Sequence, residues 1–155
     1  MIRLATADDL PTIAQLIRDL AEYEKLSQDC VFSEASLREH LFGPRPYAEV
    51  LIAEEDGVKV GFALFFHNFS TFLGQPGIYL EDLFVKPEYR GKGHGKELLA
   101  KLAKVAMERG CGRLEWAVLD WNTPSIGFYE SLGAKANGDW TVYRLTGEAL
   151  QLLGQ

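Results

Sequence analysis

Glycine recurs at alternate positions in the middle of the chain, and this spacing is the pattern best suited to chemistry. Gly91, Gly93 and Gly95 stand between a predicted strand, residues 78–85, and an amphipathic helical pattern. Glycine has no Cβ, so successive backbone N–H groups can turn toward one point, and a helix that begins there adds its positive dipole end. The segment therefore predicts a cradle for a phosphate or diphosphate group.

Two common phosphate-binding loops do not fit this spacing. A dinucleotide-binding fingerprint that starts at Gly91 would need glycine where Lys96 stands. A Walker loop would need glycine in place of Arg90, and serine or threonine in place of Glu97. What remains is either a different anion loop or a glycine-rich turn without a ligand.

Length and composition limit the possible classes of protein. The 155 residues suffice for one domain with a sizeable core, and we expect a single domain over residues 1–155. No apolar run is long enough to span a membrane and the first residues lack a secretory signal, so we expect a cytoplasmic protein without a membrane partner. The net charge of -6 disfavours a nucleic-acid partner and is compatible with a cationic substrate.

Cysteine and histidine do not cluster in the sequence. Cys30 and Cys111 lack C-x-x-C spacing, which gives no support for a disulfide framework or a zinc site. His40, His67 and His94 stand far from one another and from either cysteine at any spacing typical of metal ligands. We therefore expect no metal and no cysteine nucleophile.

Periodicity and turn residues predict a mixed α/β fold, in which helices flank a central, twisted, mixed sheet of about six or seven strands. The predicted strands are residues 2–4, 47–54, 58–66, 78–85, 114–120, 134–136 and 140–145. The predicted helices run from a capping box at Thr6 and Asp9 to near Glu24, and over residues 33–41, 96–109 and 123–132. Residues 68–77 are expected to form a loop.

A second informative segment, residues 121–134, carries its own helix signals. Asn122 is a good capping residue, Pro124 suits a first helical turn, and Gly133 suits a helix C-terminus. A short helix is therefore expected. Taken alone, its residue Tyr129 could be a core aromatic.

Both segments resemble motifs of the GNAT acetyltransferases. The sequence Arg90-Gly91-Lys92-Gly93-His94-Gly95 is similar to their coenzyme A loop, and residues 121–129 are similar to their later helical motif. The resemblance extends over nearly the whole chain to the branch of spermidine/spermine and thialysine acetyltransferases, through residues 5–9, 20–26 and 79–85. It implies the GNAT fold, acetyl-CoA as co-substrate and a homodimer.

The same resemblance implies roles for individual residues. Tyr129 would be the general acid, and Glu81 the base, directly or through an ordered water. The residues implied to face the amine substrate are Tyr23, Glu24, Glu81 and Asp82. The residues implied to bind acetyl-CoA are Leu83, Phe84, Val85, Arg90, Gly91, Lys92, Gly93, His94, Gly95, Lys96, Asn122, Ser125 and Tyr129.

Glu81 and Asp82 are neighbours on a predicted strand, where side chains alternate between the two faces of the sheet. Both carboxylates can reach one amine only if a bulge kinks the strand. The resemblance implies such a bulge, which we expect around residues 82–84, and we expect the N–H group of Val85 to polarise the thioester carbonyl.

These expectations favour an N-acetyltransferase that moves the acetyl group of acetyl-CoA to a primary amine of a small cationic acceptor, such as a polyamine, thialysine or a lysine-like amine. Two alternatives stay open. A protein or peptide N-acetyltransferase would show an open groove in place of an acidic pocket between Glu24 and Glu81. A non-catalytic acyl-CoA-binding module would keep its function in the variants Tyr129→Phe and Glu81→Gln.

Overall fold

A computed structural model describes residues 1–155, which form five strands and five helices. The strands are β1 Ile2–Leu4, β2 Glu49–Glu55, β3 Val58–Ser70, β4 Gln75–Val85 and β5 Leu114–Trp116. The helices are α1 Leu10–Tyr23, α2 Glu34–Phe42, α3 His94–Glu108, α4 Thr123–Ser131 and α5 Gly147–Leu153. Two compact units divide the chain, Met1–Ala117 and Val118–Gln155.

The first unit contains the whole sheet, in the order β1-β2-β3-β4-β5. The pairs β1-β2, β2-β3 and β3-β4 are antiparallel, whereas β5 runs parallel to β4. A parallel pair needs a crossover, and α3 lies in that connection. The helices α1 and α3 both pack on the sheet, which confirms the predicted mixed α/β fold.

Helix α1 contributes one side of the core of this unit. Its buried residues Ile13, Leu16 and Leu20 recur at helical spacing and pack with sheet residues that include Phe62 and Phe84. The polar residues of α1 consequently face away from the sheet, and the last turn of the helix comes to lie beside β4.

A buried carboxylate fixes the start of α1. Asp9, of which only 1% is exposed, accepts a hydrogen bond from the N–H group of Thr6 at 2.8 Å, as the predicted capping box requires. It also forms ion pairs with Arg3 at 2.8 Å and Lys59 at 2.7 Å. The hydrogen bond with Arg3 is the main cause that holds the pKa of Asp9 well below its usual range. These contacts join β1, β3 and the first turn of α1.

Several predicted boundaries were wrong in the hairpin and around α3. Residues 68–77 are not one loop, because β3 and β4 continue to a pairing of Ser70 with Gln75. Helix α3 begins at His94 rather than Lys96, since Gly93 adopts the left-handed conformation that precedes it. Alternation and apolar content fade toward the hairpin tip, so the sequence pattern underestimates strands that cross-strand hydrogen bonds extend.

The sheet has five strands, fewer than the six or seven expected. The strand predicted at residues 114–120 ends at Trp116, and residues 134–136 and 140–145 form no strand. The second unit instead contains α4 and α5, and its residue Tyr143 is 93% exposed. A strand requires a hydrogen-bonded neighbour, which a local pattern of apolar residues cannot supply. None of the helices combines the length and apolar character needed to cross a bilayer.

Candidate active site

An extra residue in β4 determines where the acidic side chains face. Leu64 pairs with Asp82, whereas the next residue, Phe65, pairs with Leu80, so Glu81 has no partner on β3 and forms a β-bulge. Directly opposed residues share a face of the sheet. The bulge therefore moves Asp82 from the face of Leu80 to the face of Leu64, which is the face covered by α1.

The predicted position of this bulge, residues 82–84, was wrong, since the irregularity lies between Leu80 and Asp82. Leu83 and Phe84 pair regularly with β3. The position depends on the register between the two strands, which the acidic residues themselves do not encode.

Three carboxylates come together where α1 ends against β4. Glu24 follows the last helical residue of α1, and Glu81 and Asp82 occupy the bulge. Burial, and then the charges of Glu81 and Glu24, raise the pKa of Asp82 to about 7. Burial, followed by the charge of Glu81, also raises the pKa of Glu24. The sequence prediction that these residues share one acidic site is consistent with this mutual repulsion, which a bound cation would relieve.

Aromatic side chains and Arg90 lie beside this acidic cluster. The ring of Tyr23 packs against Phe84 with centroids 6.3 Å apart. The Arg90 guanidinium carbon lies 4.8 Å from the centroid of Tyr23 and 5.3 Å from that of Phe84, and its Nε donates to the carbonyl of Val85 at 2.9 Å. Arg90 is therefore held by the end of β4 and by α1, and its predicted contact with a diphosphate stays a prediction.

The edge of β4 that faces β5 opens beyond the acidic cluster. The pairing of these strands ends at Leu80 and Trp116, five residues before β4 itself ends. The N–H group of Lys86 donates a hydrogen bond to the carbonyl group of Val60 on β3. Because successive N–H groups point to opposite edges of a strand, the N–H group of Val85 points toward the edge of β4 that faces β5. This edge is free of strand pairing in the sheet, as the predicted role of Val85 in binding a thioester carbonyl requires.

The glycine loop has the backbone conformation that its sequence predicts. Gly91 and Gly93 have φ angles of 78° and 90°, in the region that glycine adopts most readily. A Cβ placed at Gly91, Gly93 or Gly95 would meet no protein atom within 4 Å, so the space above the loop is open to a ligand. The backbone N–H groups of residues 91–96 donate to no backbone carbonyl. The loop therefore offers backbone donors to an anion, and its predicted binding of a diphosphate stays a prediction.

Two basic side chains of the loop have a carboxylate partner within the protein, and their expected contacts with acetyl-CoA stay predictions. Lys92 and His94 both reach Glu55, at 3.0 Å and 3.2 Å. Lys96 is exposed on the first turn of α3, where a positive charge opposes the helix dipole unless an anion binds nearby. Glu55 was missed in the sequence because it stands in an ordinary hairpin without any motif.

The second unit carries the remaining predicted residues on and before α4. Asn122 accepts a hydrogen bond from the N–H group of Ser125 at 3.4 Å through its side chain, which confirms its role as a helix cap. Tyr129 lies within α4, next to the ring of Phe128 with centroids 5.6 Å apart. The predicted contacts of Asn122, Ser125 and Tyr129 with acetyl-CoA, and the role of Tyr129 as an acid, stay predictions.

Comparison with known proteins agrees with this geometry. The Acetyltransferase (GNAT) family matches residues 13–134. The thialysine N-epsilon-acetyltransferase of Bos taurus is 44% identical over 165 residues, which cover 99% of this chain and 96% of the relative. The L-ornithine N5-acetyltransferase NATA1 of Arabidopsis thaliana is 36% identical over 98% of this chain and 86% of its own length.

A solved structure shares the fold. The integron cassette protein of the V. cholerae mobile metagenome superposes with a TM-score of 0.84 at 27% identity, over 100% of this chain and 97% of that protein. The family match covers most of the chain, and the relatives align with it almost end to end. The chain therefore belongs to the GNAT family of acetyltransferases.

Proposed function

We propose that this protein transfers the acetyl group of acetyl-CoA to a primary amine of a small cationic acceptor, such as a polyamine, thialysine or another lysine-like amine. The observation that carries the proposal is the convergence of Glu24, Glu81 and Asp82 on one site beside the glycine loop. The acidic cluster suits a cation, and the loop suits the diphosphate of coenzyme A. The similarity to thialysine and ornithine acetyltransferases supports the same class of acceptor.

Removal of a proton from the acceptor is the first demand of the reaction. An alkyl amine with a pKa of about 10.4 is neutral in only about one molecule in 2,500 at pH 7, a deficit of about 4.6 kcal/mol. An ordinary carboxylate is too weak a base for this task. Asp82, with its pKa raised to about 7, is better matched to the ammonium group than an unperturbed carboxylate.

Two steps then follow from the arrangement of the first unit. The ammonium group enters the acidic cluster and relieves the repulsion among the carboxylates. Because the pKa of Asp82 is raised, we assign acceptance of the proton, directly or through a water, to this residue in place of Glu81, which the resemblance implies as the base and to which we now assign a role in holding the amine. The neutral nitrogen attacks the thioester carbon, so that a C–N bond forms and the C–S bond breaks, and the nitrogen passes its second proton to water as the amide forms. The N–H group of Val85 polarises the carbonyl oxygen during this attack.

The leaving thiolate needs a proton, which we assign to Tyr129, as the resemblance to the family implies. A phenol can donate this proton to a thiolate because the product thiol is itself a weak acid. No acyl-enzyme intermediate is required, and neither Cys30 nor Cys111 is assigned a role.

The function is tested by incubating the purified protein with acetyl-CoA and a panel of amines, and by measuring release of the coenzyme A thiol. We expect turnover with thialysine, ornithine, lysine or polyamines, and none with the same molecules after all of their amines have been acetylated. Turnover only with peptides would favour a protein acetyltransferase instead. Binding of coenzyme A without turnover on any amine or peptide would favour a non-catalytic acyl-CoA-binding module.

The assembly and location belong to the same proposal. We assign a homodimer in the cytoplasm, and exposed apolar side chains in the second unit support self-association, because large exposed apolar groups often mark interfaces. Trp140 is 76% exposed and Val142 is 85% exposed. Sedimentation analysis of the full chain tests the assembly: a monomer at micromolar concentration would contradict it.

A further inference from the structure

One carboxylate outside the glycine motif connects two of its basic side chains. Oε2 of Glu55, at the end of β2, accepts a hydrogen bond from Nζ of Lys92 at 3.0 Å. Oε1 of the same residue lies 3.2 Å from Nε2 of His94, the first residue of α3. Glu55 therefore bridges the loop and the helix that together form the anion cradle.

The environment of His94 makes this contact more than an incidental surface pair. The His94 side chain is only 9% exposed. A carboxylate can only accept a hydrogen bond, so Nε2 must carry the hydrogen and donate it to Glu55. The other ring nitrogen, Nδ1, is buried and has no hydrogen-bond partner. The bond to Glu55 is therefore what compensates the burial of this polar ring.

We propose that Glu55 is a positioning residue for acetyl-CoA, which holds Lys92 and His94 so that the backbone N–H groups of the loop converge on the diphosphate. Lys92 and His94 act through Glu55, and the backbone binds the anion. The proposal rests on the proposed function for the identity of the ligand, coenzyme A.

The sign of one effect separates positioning from simple electrostatics. A carboxylate beside an anion site repels the anion, so its removal should strengthen binding if charge alone matters. If Glu55 orders the cradle, its removal leaves the loop free to sample other conformations and weakens binding. The variant Glu55→Gln removes the charge with little change of size, and we expect coenzyme A to bind about fivefold more weakly.

Variants of Lys92 provide a second test, between direct contact with the diphosphate and action through Glu55. A direct contact with the diphosphate would make Lys92→Met equally harmful with and without Glu55. Since we infer that Lys92 acts through Glu55, its replacement should weaken binding about fivefold in the native chain and by less than about twofold in the Glu55→Gln background.

His94 provides a third test through variants that differ in the reach of one nitrogen. Glutamine places its side-chain N–H₂ group close to the position of Nε2, so His94→Gln should bind coenzyme A within about twofold of the native chain. His94→Leu fills the same space without a donor and should bind about fivefold more weakly.

The experiment uses the full-length purified chain and coenzyme A in a calorimetric titration, with thermal unfolding to confirm that each variant is folded. Asp56→Asn removes a charge from the adjacent hairpin residue, whose left-handed backbone asparagine tolerates, and is the matched control. We expect it to bind within about twofold of the native chain. In steady-state kinetics the KM of Glu55→Gln for acetyl-CoA should rise about fivefold while kcat falls by less than about twofold, because a loosened loop acts mainly on binding of acetyl-CoA.

Equal or tighter binding by Glu55→Gln would overturn the proposal, and so would an undiminished effect of Lys92→Met in its background. If Glu55→Gln is unfolded, the contrast between His94→Gln and His94→Leu decides, and equal binding by these two variants would overturn the proposal. Failure of amine turnover with intact coenzyme A binding would count against the proposed function alone, since the titration contains no acceptor.

Discussion

We expect the acidic cluster and the glycine loop to bind opposite charges by different physical means. The cluster of Glu24, Glu81 and Asp82 presents side-chain charges that repel one another, and burial followed by these charges raises the pKa of Asp82 to about 7. The loop presents backbone N–H groups, while its side chains Lys92 and His94 already have a carboxylate partner. In the acidic cluster, charges repel one another and a bound cation would reduce that repulsion. In the glycine loop, the backbone already has the conformation that presents its N–H groups.

This difference explains why the acetyl donor, acetyl-CoA, is easier to infer from the sequence than the amine that accepts the acetyl group. Backbone donors demand glycine at fixed positions, and such a pattern is visible in the chain. Side-chain charges bind many cations, and the shape around them depends on packing. If the cluster binds its ligand by charge and the loop by conformation, substitutions in the two regions should affect activity and binding differently.

The largest effect is expected from neutralising the centre of the cluster. Asp82→Asn removes the group that accepts the proton of the amine, and kcat should fall about 100-fold or more. In the native protein, kcat/KM should rise with pH through about 7 as Asp82 loses its proton. Thiol release measured from pH 5.5 to about 9 tests both expectations. The exposed residue Asp29 gives the matched control, Asp29→Asn, and a fall of less than about threefold in Asp82→Asn would reject the assigned role.

The same substitution should stabilise the fold at neutral and higher pH. The raised pKa of Asp82 means that, between about pH 4 and 7, the folded chain keeps a proton that the unfolded chain has lost. The free energy of unfolding therefore falls as the pH rises through that window. We expect Asp82→Asn to be more stable than the native chain by about 2 kcal/mol at pH 8, and by much less at pH 4.

Urea denaturation at both pH values measures this difference in the free energy of unfolding. Asp29→Asn should show no such dependence on pH. A pH-independent difference for Asp82→Asn would mean that burial and the neighbouring acidic groups do not raise the pKa of Asp82.

The loop should respond to conformation and not to charge. Gly93 has a φ of 90°, and a Cβ there meets no protein atom within 4 Å, so alanine is unfavourable only because of its backbone preference. A left-handed alanine costs about 1–2 kcal/mol, so Gly93→Ala should bind coenzyme A about tenfold more weakly. Gly95→Ala, at an ordinary φ with the same open space, should remain within about twofold. Equal losses in both would indicate steric exclusion of the ligand.

The smallest effect is expected at the edge of the cluster. Burial and the charge of Glu81 raise the pKa of Glu24, which shows that Glu24 lies near the other carboxylates. The variant Glu24→Gln therefore removes one attraction for a cationic acceptor. The KM of a dicationic amine should rise about fivefold with little change in kcat. Glu22→Gln, two residues earlier on the exposed face of α1, should leave the KM unchanged. Steady-state kinetics at low and high salt test this, and equal KM values for both variants would remove Glu24 from the acceptor site.

Local chemistry predicted most of the elements that bear the site. The glycine spacing predicted the loop at Gly91 and Gly93, and periodicity together with the capping box at Thr6 and Asp9 predicted α1. The cap of α4 at Asn122 was equally visible, because capping depends on neighbouring residues.

Features that depend on pairing were less accessible. The bulge at Glu81, the continuation of the hairpin to Ser70 and Gln75, and the early end of β5 at Trp116 all depend on which strand lies beside which. The link from Glu55 to His94 joins residues 39 positions apart and has no local signal.

By itself, the sequence determined that the chain has an anion loop followed by a helix, and that acidic residues precede that loop, because these features arise from residue types at short separations. Only the tertiary structure shows that Asp82 lies on the face of the sheet covered by α1, where the charge of Glu24 affects it. It alone also shows that Glu55 binds the side chains of Lys92 and His94. Strand register and long-range charge contacts are set by the packing of the whole sheet, and one residue of slip would turn Asp82 to the opposite face.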